Sequence, residues 1–346
     1  MTDQTTLSPR TGESETPHPR ERFGRTARVA VTLAATAVLA GISVGYILLG
    51  RAAEEPEVPP TAQPVSVAPG PRLLTLMSNG QVTTVDSDDP GGRRLVSQTK
   101  CDRIYAAAGT AACLYSDGVL GKVTLSILDQ DLRPRDVIPV AGVPSRVRVS
   151  ASGRMVAWTA FVGGDDYATL DFSTRTGIYD THSGMLLKSL ESFAVTREGE
   201  PYQAADINYW GVTFARDDNT FYATMYTDGH RYLVQGDLAA RTVRTVRDHV
   251  ECPSLSPDGT RIAFKAAVDG NPARGWRLAV LDLATQRVTD LTETRSVDDQ
   301  AAWLDNDTLA YALSHADGIK DLWTVPADGS GEPTLLLRDA HSPTAL

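Results

Sequence analysis

Apolar and polar positions alternate in short runs along most of this chain, and the runs come in pairs split by turn residues. The clearest pair is Cys252-Pro-Ser-Leu-Ser-Pro-Asp-Gly-Thr-Arg-Ile-Ala-Phe-Lys265. Alternation with period two marks half-buried strands. Between them, Pro257 presets φ, Asp258 can bond its own backbone, and Gly259 takes a φ that branched residues resist. Val147–Trp158, Val212–Ala223 and Ala301–Tyr311 keep the order apolar strand, polar turn, apolar strand. The turns fall near Gly109, Gly153, Asp218, Gly259 and Asn306, at spacings of 44, 65, 41 and 47 residues. Repeats of about 40–50 residues made of short strands indicate propeller blades.

Each hairpin is followed by a third strand that closes on an Asp turn: Val123–Asp129, Thr176–Asp180, Tyr232–Asp237, Arg277–Asp282 and Leu322–Asp328. A fourth, outer strand is predicted at Val137–Val140, Met185–Leu190, Thr242–Val246, Arg287–Leu291 and Thr334–Leu337, which makes five complete copies. The two ends of the repeat region complement each other. Arg72–Met77, the Asn79-Gly80 turn, Gln81–Asp86 and Arg93–Ser97 supply three strands without an inner one. His341–Leu346 stands where the next inner strand is due. The expected fold is therefore all-β: a six-bladed propeller over residues 72–346 in which the C-terminal strand pairs with the first blade. Such closure removes an open sheet edge.

The block Ser256-Pro-Asp-Gly-Thr-Arg-Ile-Ala-Phe264 resembles the repeat of TolB-type β-propellers, and Asp321-Leu-Trp-Thr-Val325 resembles the third strand of that repeat. The resemblance runs from about Arg72 to Leu346, with degenerate turns at Ser152-Gly153, Asp217-Asp218 and Asp305-Asn306. It implies a binding or scaffolding module of the cell envelope and implies no particular ligand, because one fold hosts many functions.

Ahead of the repeats, Val29–Gly50 is a run of 22 residues without a charge, long enough to cross a hydrocarbon core of about 30 Å as a helix. Arg20, Arg22, Arg25 and Arg28 precede it, and Glu54, Glu55 and Glu57 follow. By the positive-inside rule, residues 1–28 form a cytoplasmic, disordered tail and the propeller lies outside the membrane. A cleaved signal peptide, cut near Gly50-Arg51-Ala52, is the competing reading. Residues 51–71, rich in proline, read as a stalk. Gly41 and Gly45 form a G-x-x-x-G pattern that permits weak self-association of the spanning helix. Ser43 between them completes a G-x-S-x-G, but a membrane span offers no strand-to-helix elbow for a nucleophile.

The chain holds 33 Lys+Arg against 43 Asp+Glu, a net charge of −10. An acidic propeller has no electrostatic reason to seek nucleic acid or anionic lipid, which leaves an envelope protein, a cell-wall component or a cation as partner. Three cysteines in an extracytoplasmic domain invite a disulfide. If the hairpin turns at Ala108-Gly109, Cys113 faces Ile104, and Cys101 lies roughly 10 Å further along the strand. That is too far for a bridge unless the loop is wider. Cys252 is expected to be free and buried.

The six histidines show no metal-ligand spacing. Calcium is the cofactor left open, through the acidic clusters Asp86-Ser-Asp88-Asp89, Asp165-Asp166 and Asp298-Asp299, although none follows the spaced calcium loop; acidic turns on an acidic surface are the preferred explanation. Aligning the copies on their turns puts Cys101, Ser145, Trp210, Glu251 and Asp299 at one axial rim, where two acids and a tryptophan suit a cationic group or simply solvate a channel. The longest insertion, Ser192–Asn208, reads as a loop. Its Tyr202, Asp206 and Asn208, with Tyr209 and Trp210, have the composition of a contact surface, and Gly163–Asp171 on the preceding blade is a possible neighbour. The expected function is binding or scaffolding without catalysis. The alternatives are a lactonase-like hydrolase using axial carboxylates around a cation, and an envelope ligand sensor.

Overall fold

Six sheets, antiparallel but for one added strand pair, form in the computed structural model, which describes residues 64–118, 122–162 and 173–346. The expected tail, membrane-spanning segment and Gly163–Asp171 loop lie outside these residues, as does most of the stalk. Among the described residues no helix is long and apolar enough to cross a membrane.

The hairpins stand where the alternation places them. The second blade runs Arg103–Ala107, Thr110–Ser116, Val123–Leu128 and Pro134–Val140 from the axis outward. The third, fifth and sixth blades repeat this order from inner strands Val143–Val149, Glu251–Leu255 and Ala302–Trp303. In the first blade, His341–Ala345 is the innermost strand, paired antiparallel to Arg72–Leu76 with Leu73 opposite Ala345 and Leu76 opposite His341. The Leu346 amide extends the clasp by donating to the Arg72 carbonyl at 3.0 Å. The ring thus closes between the chain's last strand and its first blade, as the leftover strands require.

Blades hold together through apolar faces. Leu74, Leu76 and Val82 of the first blade pack with Ile104, Ala106, Ala111 and Leu128 of the second. Leu73 and Val85 pack with Leu322 and Leu337 of the sixth. Each fully buried leucine contributes about 1.5–3 kcal/mol, so the inter-blade seams carry much of the stability. The hairpin turns add polar clasps: the Asn306 side-chain oxygen accepts from the Asp258 amide at 3.1 Å, and the Ser152 hydroxyl donates to Asp218 at 2.7 Å. All three degenerate turns therefore bond to a neighbouring blade.

Four expectations need correction. Residues 64–71 are not stalk: Val65 and Val67 are buried against the first two blades, and the Val67 amide donates to the Gln130 carbonyl at 2.8 Å. The outer strand of the third blade shrinks to Leu186–Leu187, because Leu190 enters a short 3-10 turn and is fully buried. The insertion after it is not a loop. Ala194–Arg197 and Glu200–Tyr202 form a hairpin that adds to the outer edge of the fourth blade, parallel to Thr242–Arg247, and widens that sheet to six strands.

The fourth correction concerns the disulfide. Cys113 does face Ile104, yet Cys101 and Cys113 are bridged, with Cα atoms 5.5 Å apart. Regular pairing stops at Arg103. The Asp102 carboxylate accepts from the Ser116 amide at 2.7 Å, and the Cys101 amide turns to the Gly80 carbonyl of the first blade. This bend folds Cys101 back over Cys113, where a straight strand would carry it away. Cys252 is the free cysteine and is buried, as expected.

Candidate functional site

The first residues of the inner strands converge on one face of the ring, and there the strands are irregular. Val143–Val149, Asn208–Phe214, Glu251–Leu255 and His341–Ala345 each hold one residue more than the strand they pair with, between Pro144 and Arg146, Trp210 and Thr213, Glu251 and Ser254, and His341 and Thr344 respectively. Such bulges re-aim side chains and recur beside binding sites. Gly211 takes φ +66° in one of them, and a Cβ there would stand 3.0 Å from the Cα of Cys252. Close approach of two inner strands therefore requires glycine.

The mouth so formed encloses about 330 Å³ and is lined by Ser145, Trp210, Glu251, Cys252 and Asp298, with Arg103, Arg146, Arg231, Lys265, Phe161 and Trp276. The expected rim is thus met at Ser145, Trp210 and Glu251. Asp299 lines an adjoining narrow axial cavity with Arg103 and Arg146, and its neighbour Asp298 occupies the mouth. Cys101 does not line the mouth; it is taken up in the disulfide.

The sign of the charge differs from the expectation. Four cationic side chains face two carboxylates across the mouth, and those carboxylates are engaged. Glu251 lies 3.0 Å from Arg231 Nε and 3.1 Å from Lys265 Nζ, and Asp298 pairs with the same ammonium. The Nε of Arg103 and an Nη of Arg146 donate to one acceptor, the Ser145 carbonyl, at 2.7 and 2.9 Å. Burial first, and then the charge of Arg146, lowers the pKa of Arg103. The positive field reaches the closing strand: burial, then Lys320 and Arg103, push His341 down to about 4.

Aromatic rings complete the wall. Trp210 stacks on Tyr226 with ring centroids 6.3 Å apart. Lys265 Nζ stands 4.4 Å from the centroid of a Trp276 ring, within cation–π range. Further along the axis, the Arg148 guanidinium lies 4.3 Å over the Tyr105 ring.

The remaining expected contact residues make bonds within the fold, and Tyr202 also lines a separate cavity of about 800 Å³ with Phe193, Val195 and Ile207. Tyr209 is buried in the core of the fourth blade, and burial raises its phenol pKa. Asp206 accepts from the Thr227 hydroxyl and the Asp228 amide, both at 2.7 Å. These bonds hold its pKa below the ordinary range and pin the connection to the turn of its own blade. The Tyr202 hydroxyl meets Thr227 at 2.9 Å. Asn208 accepts from the Ser173 hydroxyl and the Thr174 amide of the preceding blade. Of the insertion set, only Trp210 lines the mouth.

Arg103, Arg146, Arg231, Lys265 and Trp276 escape an alignment of inner strands for two reasons. Bulges shift Arg146 off the aligned column, and Arg231, Lys265 and Trp276 come from second and third strands. The readable signal is an Arg one or two residues past the column in two consecutive copies, Arg103 after Cys101 and Arg146 after Ser145.

Of the acidic clusters, Asp86 accepts the Asp88 amide at 2.9 Å in a turn, Asp298 pairs with Lys265, and Asp299 accepts the Ala312 amide at 3.3 Å; Asp165-Asp166 lies outside the described residues. Among the described residues no three or more His, Cys, Asp or Glu side chains come together as a metal cage.

No protein-family model matches this chain, and no curated protein does. Among solved structures it is similar to TolB from Acinetobacter baumannii, with a TM-score of 0.59 at 17% identity over 80% of this chain and 67% of that one. A protein assigned as TolB from Agrobacterium tumefaciens aligns with a TM-score of 0.49 at 12% identity, over 78% and 90% of the two chains. At this identity the first likeness shows a shared fold, the six-bladed propeller of TolB-like proteins, and carries no ligand with it.

Proposed function

We propose that this chain is a binding and scaffolding module of the cell envelope. Val29–Gly50 anchors it in the membrane, the N-terminus faces the cytoplasm, and the propeller presents its axial mouth to an envelope protein or cell-wall component. One observation carries the binding role: bulged inner strands bring Trp210, Trp276 and a set of ionic side chains to a single opening. The charge steps around Val29–Gly50 support the topology.

The hydrolase alternative needs axial carboxylates free to hold a cation. Glu251 and Asp298 are matched by Arg231 and Lys265, so these residues do not fit a calcium cage, and binding is the better reading.

Labelling in intact cells tests the topology. An impermeant maleimide should label Met185→Cys, at a site 45% exposed on the propeller, and spare Ser8→Cys until the cells are opened. The reverse pattern would sink the envelope placement. A photo-cross-linker at Trp276 should then give an adduct that the same group at Met185 does not. Identical or absent adducts at both sites would refute the mouth as the contact surface.

A further inference from the structure

We infer that the axial mouth takes an organic oxyanion, a carboxylate or phosphate on a group about the size of one sugar ring, seated against Arg103 and Arg146. The inference rests on reading the mouth as the binding surface and names the chemistry that surface recognises.

The argument starts from charge matching. Lys265 and Arg231 are neutralised by Glu251 and Asp298 within the mouth. Arg103 and Arg146 share the Ser145 carbonyl as acceptor. Among the described residues neither makes a carboxylate ion pair of its own; the opposing charge comes from Asp299 of the adjoining cavity and from Asp298, which Lys265 already holds, with Asp102 acting on Arg103. Two like charges held together and partly out of water are unfavourable unless an anion joins them. The Nε of Arg146 is buried with no hydrogen-bond partner among the described residues. A guanidinium is the side chain best shaped for carboxylate and phosphate.

The surroundings agree. Lys320 also lies beside this axis, where burial followed by Arg103 lowers its pKa against the opposing pull of Asp299, so a third cation adjoins the pair in a chain of net charge −10. The volume of about 330 Å³ falls at the small end of ligand pockets, ~300–1,000 Å³. Trp210 and Trp276 add flat walls of the kind that hold a ring, and they provide a reporter.

The test uses the full-length protein in nonionic detergent at low salt, titrated with galacturonate and with glucose 1-phosphate while tryptophan emission and heat are followed. Galactose and glucose are the uncharged controls. At least one anion should bind saturably, with its sugar control at least ten-fold weaker, and the preferred anion separates carboxylate from phosphate. Arg146→Gln and Arg103→Gln should each weaken binding about ten-fold, whereas Arg216→Gln, a cation lost from the hairpin turns, should leave it unchanged. Binding should also raise the pKa of His341, read by NMR, because an anion offsets the field of Arg103 and Lys320. Equal binding of neutral sugars, affinity untouched by both mouth variants, or no binding of either anion to 50 mM would each overturn the inference. A Trp276-specific cross-link in cells would survive any of these results, so this inference and the wider binding role fail separately.

Discussion

Lys265 Nζ lies 3.1 Å from Glu251 Oε1 across adjacent strands of the fifth blade, and the two residues are direct Cα partners in the ladder. The lysine side chain is 3% exposed, so its charge depends on Glu251 and Asp298. Removing one member of a buried ion pair strands the other at a cost of about 3–5 kcal/mol. Lys265→Met is expected to cost about 3 kcal/mol, at the low end because Arg231 still faces Glu251. The double variant Lys265→Met/Glu251→Gln should lose less than the sum of the single variants, by about 1 kcal/mol or more. Urea unfolding of the four proteins measures this, and strict additivity would contradict a coupled pair.

Asp180, at the close of its third strand, receives two bonds from Arg154, at 3.0 and 2.7 Å. The Arg154 bond foremost, against opposing burial, and then Ser183 and the His182 amide hold its pKa far below the ordinary 3.8. A depressed carboxylate stabilises the fold fully above its unfolded pKa and loses that contribution as pH falls through it. Thermal stability should therefore decline below about pH 4. Asp180→Asn should be less stable than wild type at neutral pH, and the gap should narrow toward pH 2. A constant gap would mean that the ion pair carries no proton linkage.

His341 gives a dependence of the same sign in a higher pH window. It sits on the closing strand, is 7% exposed, and has its pKa pushed from 6.5 to about 4 by burial and then by Lys320 and Arg103. The unfolded chain takes up the proton first, so stability falls as pH drops from about 6.5 toward 4, by roughly 3 kcal/mol at most. His341→Gln should flatten the melting curve against pH in that window. If the slope persists, the titrating group lies elsewhere.

The same strand closes the ring. Deleting His341–Leu346 leaves Arg72–Leu76 as an open inner edge and removes the pairing to Leu73 and Leu76. The truncated chain should melt well below the full chain and associate in solution, because exposed edges recruit other strands. A monomer of unchanged melting temperature would show that closure adds nothing.

The Cys101–Cys113 bridge closes a short loop across the junction of the first and second blades. Loops of this length lose about 3 kcal/mol of stabilisation when opened. Cys101→Ser/Cys113→Ser should melt lower than wild type by a comparable amount. Unfolded without reductant, the native protein should show one reactive thiol, Cys252, whereas three would refute the bridge.

The propeller itself was legible in the chain because its determinants are local. Turn residues such as Pro257-Asp258-Gly259 and Asn79-Gly80 act over a few positions, and period-two alternation states which face of each strand is buried. Counting strands also implied the closure by His341–Ala345, since three strands at one end lacked an inner partner that the other end could supply. The rim position of Trp210 and Glu251 followed from the same count. The sign of the mouth did not. Bulges of one residue at Pro144–Arg146 and Glu251–Ser254 break the regular column, and Arg231, Lys265 and Trp276 arrive from second and third strands of two blades. Likewise, the insertion around Tyr202 became a hairpin on the fourth blade because an outer edge was there to receive it, and the bend at Asp102 brought Cys101 back to Cys113. Local sequence thus determined the strands, the turns and the number of blades. Tertiary packing alone decided which charges meet, because side chains distant in sequence are brought together by strand register and inter-blade contact, and neither is encoded in any single repeat.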